Sequence, residues 1–447
     1  MEYDLIVVGG GPGGLMAAKT AAEDGLKVVL IERRREFADF RRACLQLAYL
    51  KWLCPDGYLE PFKVEVNFDT YRFIWPKLGF SLDYEGPLVP YMNAIWVSPS
   101  GYRVYPFKHE LFAFYYPKEA FEVGLLSLAE EAGAEVQLGT TALGAENTRE
   151  GVRVRVRGES GEQTLEARTA VAADGVGSRI VESLGLNKKR RVLERSRTVS
   201  YVLEGVECTI PEHQYSWLHF ECPTFPNTGI GRSFGMGAWG ENTKFVGSNW
   251  KDFAEFPMYA PWFRNAKVVK EMAMAATIRT TIREPVAGNV VIIGDAAAPI
   301  ETWRQGAVAC GYMAVKAIEK ELNGQKGYLE YIDWWQKAFY FNEPGYFKRV
   351  VTYASVFDSC SAEEIDYIYQ LFQDQGVVPG LAIAKNPELV KKERPELYEK
   401  LKQAIDQAVK DIEPLLATYP PEADGAIYGD GGPEVYLGPW RPYPGSD

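Results

Sequence analysis

Three glycines, Gly9, Gly11 and Gly14, stand in the spacing Gly-x-Gly-x-x-Gly, and a carboxylate, Glu32, follows 18 residues after the last of them. These residues can bind a dinucleotide. Gly9 permits a tight turn, Gly11 lets backbone approach a pyrophosphate, and Gly14 lets helix and sheet pack closely. Pro12 and Gly13 lie inside the same turn. A helix starting there offers free N–H groups and the positive end of its dipole to phosphates. Glu32 can accept hydrogen bonds from two ribose hydroxyls, which favours an unphosphorylated ribose; Arg33 is counted with it as a binding residue.

Two more stretches place acids at strand tips. "VVIIGDAAAP" (290–299) runs four β-branched residues into Gly294-Asp295. "TAVAADGVGS" (169–178) ends a short apolar run in Asp174-Gly175, with Ser178 three residues on as a helix cap. Burying a carboxylate without a partner is costly, so Asp295 needs one.

The elements that must position these groups follow from the pattern. Leu5–Val8 forms a buried strand, Leu15–Asp24 a helix stopped by Gly25, and Lys27–Ile31 a second strand. "VRVRVRG" (152–158) alternates as a strand with its valines on one face. Gly306–Leu322 forms a helix after the Gly-Asp tip. Three segments distant in the chain therefore return to one parallel sheet.

Together, the Gly-x-Gly-x-x-Gly start, the mid-chain "ADGVGS" and the late "IIGDAA" with its helix resemble the para-hydroxybenzoate hydroxylase-like flavoproteins. The resemblance implies FAD. It implies that Asp295 bonds the ribityl chain, which would supply the missing partner. It also implies that Asp174 and Gly175 brace the loops around the pyrophosphate, and that the late helix, starting at Gly306 and Ala307, points at the flavin's pyrimidine end.

Within that superfamily the chain is most similar to the geranylgeranyl reductase family. "RRACLQ" (41–46) puts Arg42, Ala43 and Cys44 where that family has a cysteine beside FAD. Lys118 stands where the family has an arginine. "GTTALGAE" (139–146), with Ala142, resembles the loop that passes the adenine. "SPSGYRVYPF" (98–107) resembles a substrate-domain hairpin. "YLEYIDWWQKAF" (328–339) and "SCSAEEIDYIYQLFQ" (359–373) follow the helical C-terminal pattern. Ser361 and Glu364 form a capping box on physical grounds alone.

There are departures. Tyr215 and Trp217 in "YSWLHFECP" (215–223) keep only part of a Tyr-x-Trp-x-Phe-Pro signature. The Gly-Asp loop reads "APIETWRQGAV", which brings Glu301, Trp303 and Arg304 into the flavin's neighbourhood.

The resemblance implies an FAD-dependent reductase that transfers hydride to a carbon–carbon double bond of a hydrophobic, isoprenoid-like or other unsaturated substrate. Cys44, Trp303, Tyr215 and Trp217 are the residues expected to line the reaction cavity, with Glu301 and Arg304 as proton or anion handlers. With no second Gly-x-Gly-x-x-Gly, electrons would come from transiently bound NAD(P)H or a reduced redox protein. The alternatives are a flavin-dependent aromatic monooxygenase and a flavin subunit passing electrons to a protein partner. The Pro-rich Gly-Asp loop of the monooxygenases and the Trp-x-Trp-x-Ile-Pro motif of the halogenases are both missing.

The expected fold class is α/β. A discontinuous Rossmann-like FAD domain spans 1–60, 108–196 and 275–325. An antiparallel-sheet substrate domain spans 61–107 and 197–274. A helical region follows at 326–417, then a Pro/Gly/aromatic tail at 418–447. An apolar stripe of Leu389, Leu397, Leu401, Ile405 and Val409 suits core packing, with a homodimer face as the other reading.

Composition bounds the partners. At 447 residues and 47% hydrophobic, the chain can bury a large core. A net charge of −11 argues against nucleic acid. The one basic run, 188–191, is expected to be a solvated turn. Six scattered cysteines and three histidines suit reduced thiols and no metal site. No signal peptide and no long apolar run is present, so a cytoplasmic protein is expected. The short "LQLAYLKWL" (45–53) is a core helix or a peripheral membrane contact.

Overall fold

The computed structural model describes residues 1–44, 46–50, 62–67, 70–221, 223, 233–239, 244–248, 250–299, 302–342 and 356–416. Glu301, residues 45 and 51–53 of "LQLAYLKWL" and the tail beyond 416 lie outside the described residues. The described part of "LQLAYLKWL" is not the expected helix: Leu47–Tyr49 is a buried strand paired antiparallel with Ala113–Tyr115.

The first sheet is ordered 135–137, 28–31, 3–8, 161–172, 152–158, 141–147, with 290–292 joined to the end of 161–172. The strands Tyr3–Val8, Val28–Ile31 and Glu135–Gln137 run parallel to their neighbours, and Val290–Ile292 runs parallel to Gly161–Ala172 and antiparallel to the short Val286–Ala287. Strands buried on both faces have no polar side, which is why Leu5–Val8 and Val290–Ile292 are continuous apolar runs. The alternating Val152–Gly158 strand pairs antiparallel on both sides.

Gly161–Ala172 is the central piece. Its last residues lie between Leu5–Val8 on one side and Val290–Ile292 on the other. Ala172 is opposite both Val8 and Ile292, so three strands end level. Ala173 N–H donates to Val8 O (2.8 Å), and Ile293 N–H donates to Ala172 O (3.0 Å). The Gly9 turn, the Asp174 turn and the Asp295 turn therefore leave the sheet side by side. Ligands of open α/β sheets bind outside such carboxyl ends.

Two helices cover the crevice. Pro12–Glu23 starts at the proline, three residues before the expected Leu15. Trp303–Leu322 likewise starts three residues before the expected Gly306. The two helices touch without side chains between them: a Cβ on Gly311 would collide with the carbonyl of Gly13.

The second large sheet is ordered 267–279, 192–204, 244–248, 233–239, 216–221, 93–97, 103–107. It is antiparallel except where Ser216–Glu221 pairs parallel with Asn93–Val97. One face buries Ile95, Leu218 and Phe220 against Phe253, Tyr259 and Trp262. The other buries Trp96 and Trp217 against the C-terminal helices Ala362–Phe372, Pro379–Lys385 and Pro395–Leu416. Leu397 and Leu401 are fully covered there, Ile405 and Val409 half so. Leu389 is 47% exposed, and its neighbour Val390 takes the buried place.

The stretch 61–107, expected as one part of the sheet over the flavin, divides. Strands Lys63–Asn67, Thr70–Trp75 and Phe80–Tyr84 make a separate sheet. They pack on the nucleotide domain, Phe73 against Phe121 and Phe80 stacked on Tyr312 (4.3 Å). Alternating aromatics specify a strand with one covered face, but not which core covers it.

Candidate active site

The crevice at the strand ends opens into a cleft. Gly11 to Gly14, Gly175, Asp295, Arg42, Lys118 and Arg304 line it together with Ala43, Cys44, Leu47 and Trp303.

The Gly9 turn is built from glycine for steric reasons. Gly9 has φ +105°, and a Cβ there would sit 2.5 Å from the carbonyl oxygen of Ala173. A Cβ on Gly14 would collide with Gly9 O. Gly11 is different: nothing lies within 4 Å of where its Cβ would be, and it faces the cleft. The chain has left a hollow against bare backbone at the N-terminus of a helix, where an anion is favoured.

Glu32 closes its strand and is buried. Its carboxylate accepts from Gly10 N–H (2.7 Å), Arg34 N–H (2.8 Å) and Arg34 Nε (3.0 Å). Burial, the largest single influence, pushes its pKa up. The charge of Arg34 and the hydrogen bonds from Arg34 and Gly10 together outweigh burial and hold the carboxyl below its ordinary value. A carboxylate has about four acceptor positions, so Glu32 keeps capacity for a ribose hydroxyl. Arg33 is exposed. The arginine wired into the site is Arg34, which also donates to Gly10 O (2.8 Å) and lies over Phe37 and Phe40.

Asp295 has partners within the chain. Arg42 donates to it at 2.9 Å, and the backbone N–H and hydroxyl of Thr302 at 3.0 and 3.2 Å. Its own strand end is held by Arg190, which donates to the carbonyls of Thr280, Ala296, Ala297 and Ala298. The basic run 188–191 thus contains one structural residue; Lys188, Lys189 and Arg191 are exposed.

Arg42 and Cys44 are held by an unforeseen join. Ala43 N–H donates to Ala273 O (3.2 Å), and Ala273 N–H to Arg41 O (2.7 Å). The loop therefore caps the edge strand Lys267–Arg279 of the second sheet while facing the cleft of the first domain. Gln46 N–H then donates to Cys44 Sγ (3.4 Å), and Gln46 Oε1 accepts from the N–H of Lys118 (2.8 Å).

Two cleft residues hold strained backbone: Gln46 has φ +60° and Trp303 φ +58°. A bulky side chain at such an angle is rare, and such strain gathers at functional sites. Trp303 stands edge-on to Tyr49 (4.9 Å). Gln305 ties its helix to the next wall, donating to Tyr49 O (2.8 Å).

The other expected site residues fall elsewhere. Asp174 accepts from Ser178 Oγ (2.6 Å) and Arg179 N–H (2.8 Å), and so fixes the turn bearing Gly175. Ala142 is buried in a strand, Thr141–Asn147, where a loop was expected; the adjacent Thr140 N–H donates to Glu32 O (2.9 Å). Gly306 is buried and Ala307 faces the cleft. Trp217 is buried in the face of the second sheet that meets the C-terminal helices, behind the cleft wall. Tyr215 is 42% exposed on a turn with φ +56° and is not among the lining residues. Gln46, Leu47, Thr302 and Arg34 were missed. Their signal is weak, since each acts through backbone conformation or a local contact.

These residues fit FAD: a bare hollow at a helix N-terminus for the pyrophosphate, a buried acid, Glu32, beside that turn for the adenosine ribose, a second acid, Asp295, in the cleft lining, and apolar and aromatic lining residues for a ring. The fold and cleft are those of an FAD-dependent oxidoreductase, and the chain is one. Residues 106–247 match the FAD binding domain family and residues 4–37 the FAD dependent oxidoreductase family.

Within that class the chain is similar to reductases of geranylgeranyl lipids. It is similar to the digeranylgeranylglycerophospholipid reductase of Methanocaldococcus jannaschii, 23% identical over 90% of this chain and 98% of that one. The enzyme of that name from Methanocella arvoryzae is 31% identical over 46% of this chain and 47% of its own. Among solved structures, a geranylgeranyl bacteriochlorophyll reductase-like protein of Thermoplasma acidophilum has the same fold. Its TM-score is 0.65 at 19% identity, covering 90% of this chain and 99% of that one. A flavin-dependent halogenase superposes with a TM-score of 0.57 at 17% identity, covering 92% and 78%.

Proposed function

We propose that the protein reduces a carbon–carbon double bond in an isoprenoid chain of a lipid. The observation that carries this reading is the apolar part of the cleft lining, Ala43, Leu47 and Trp303, the last standing edge-on to Tyr49. The near full-length similarity to digeranylgeranylglycerophospholipid reductases supports the substrate class.

When bound, reduced flavin supplies a hydride from its N5. The chain does the rest. The Gly11–Gly14 turn and its helix N-terminus hold the pyrophosphate. Glu32, backed by Arg34, holds the adenosine ribose. Asp295, braced by Arg42 and Thr302, receives the ribityl hydroxyls. Trp303, Tyr49 and Leu47 exclude water and offer a surface to an alkene. Cys44, whose sulfur is oriented by the Gln46 N–H, stands beside that surface and delivers a proton to the carbon that does not take the hydride. The electron donor is a nicotinamide that binds transiently or a reduced redox protein. Among the described residues no helix is long and apolar enough to cross a membrane, so lipid reaches the cleft from a bilayer surface or a carrier.

The test is anaerobic. Enzyme reduced with dithionite is mixed with a geranylgeranylated glycerophospholipid, and the oxidised flavin spectrum is followed. Reoxidation without oxygen, with saturated product by mass spectrometry, is expected. Cys44→Ala should slow it about 10²-fold or more, the usual worth of a positioned acid. Reoxidation only by air, with a hydroxylated phenol as product, would replace this reading with a monooxygenase.

A further inference from the structure

Arg304 has no counterpart in the mechanism above. It is 5% exposed, lines the cleft, and its Nε and both Nη atoms find no hydrogen-bond acceptor among the described residues. The Tyr116 ring lies 3.3 Å beneath the guanidinium carbon. Glu122, a carboxylate that feels its charge, is already engaged by Lys118 (3.4 Å) and Arg34 (3.5 Å). The other groups facing it are the phenols of Tyr84, Tyr115 and Tyr116, which burial keeps protonated. A buried, unpaired cation with five idle donors is expensive, and one aimed into a cleft implies an anion that arrives with the ligand.

We infer that Arg304 holds the negative charge that the flavin ring takes up on reduction. Trp303 and Leu47 line the same cleft, and with the Tyr116 ring beneath the guanidinium they suit a planar ring. It is the second residue of the Trp303–Leu322 helix, so its charge adds to the positive end of that dipole. It stands two residues after Thr302, whose backbone N–H is bonded to the Asp295 carboxylate assigned to the ribityl chain. Charge beside the ring nitrogens is a means by which protein tunes a flavin. The equilibrium is balanced by two electrons and one proton: the oxidised ring accepts both electrons and one proton and retains one negative charge, opposite Arg304.

This inference rests on FAD binding, and its test reads the potential of the bound flavin, not turnover. Holoenzyme, Arg304→Met and Arg304→Lys are titrated anaerobically with dithionite against a reference dye. FAD affinity is measured alongside. In Arg304→Met the reduced form should lose about ten- to a hundredfold in relative stability, a fall of about 30–60 mV, with Arg304→Lys in between. For the unaltered protein the potential should fall by about 30 mV per pH unit between pH 6 and 8, the two-electron, one-proton slope.

A slope near 60 mV per pH unit would overturn the inference even if neither variant folds. An unchanged potential with weaker FAD binding would overturn it in favour of the pyrophosphate. An unchanged potential with poorer saturation by anionic lipid would overturn it in favour of a headgroup. A colourless protein that takes up no FAD ends the cofactor reading itself, whereas a yellow one whose potential ignores position 304 ends only this one.

Discussion

At the scale of single residues, Glu32 shows how a buried acid is made safe before any ligand arrives. Its folded pKa lies below the ordinary value, so it contributes stability above the unfolded pKa of about 4.3, and that stability is lost as pH falls through the folded pKa. Glu32→Gln should therefore be less stable than the parent at pH 7, by about 1.5–3 kcal/mol for a charge-assisted bond, and the gap should close in acid. Denaturant unfolding at pH 7 and pH 3 measures both; a gap of equal size at the two pH values would show that the carboxylate's charge is not what matters. The same residue shows the limit of reading side chains from sequence. Gly-x-Gly-x-x-Gly with a distal acid names Glu32, but "RRR" after it cannot say which arginine turns inward. Phe37 and Phe40 settle that for Arg34, through ring contacts that have no periodic signature. Tyr215 was attractive as part of a motif, yet its backbone turns it outward.

At the scale of elements, the helices Pro12–Glu23 and Trp303–Leu322 must both aim their N-termini into one cleft. They manage it by near contact at Gly13 and Gly311, where a side chain on either would meet the other's backbone. Gly311→Leu should push the helices apart, destabilise by about 1–3 kcal/mol or more, and weaken FAD binding. Gly324→Ala serves as the control: that glycine lies past the end of the same helix with open space around it, though its φ of +76° exacts a small strain. Thermal melts and flavin fluorescence on release report both quantities, and a Gly311→Leu protein that keeps its flavin at parental affinity would refute the close-approach argument. Strand–turn–helix order was legible because buried parallel strands are continuous apolar runs that end in glycine. The join of Arg41–Ala43 to the edge strand at Ala273 was not, because it is made by backbone groups that every residue carries.

At the scale of the molecule, one apolar cluster spans parts that the sequence separates. Ala43 and Leu47 of the cleft wall, Trp96 and Trp217 of the second sheet, and Ile368, Leu397 and Leu401 of the C-terminal helices pack together. The discontinuous nucleotide domain could be read from its three motifs. The sheet of residues 63–84 could not be placed, since alternation marks a covered face without naming the cover. The shared cluster has a consequence for unfolding. A helix packed behind the cleft wall should not melt alone, because its loss leaves the backs of Ala43 and Leu47 bare. Leu401→Ala, at a fully buried position, should cost about 2–5 kcal/mol. Loss of ellipticity and release of flavin should shift together to lower temperature, as one cooperative transition. Ile405→Ala, one turn on and only half covered, should shift both far less. If Leu401→Ala moved the ellipticity midpoint and left flavin release where it was, the C-terminal helices would be an independent unit, and the cleft wall would draw its rigidity from the two sheets alone.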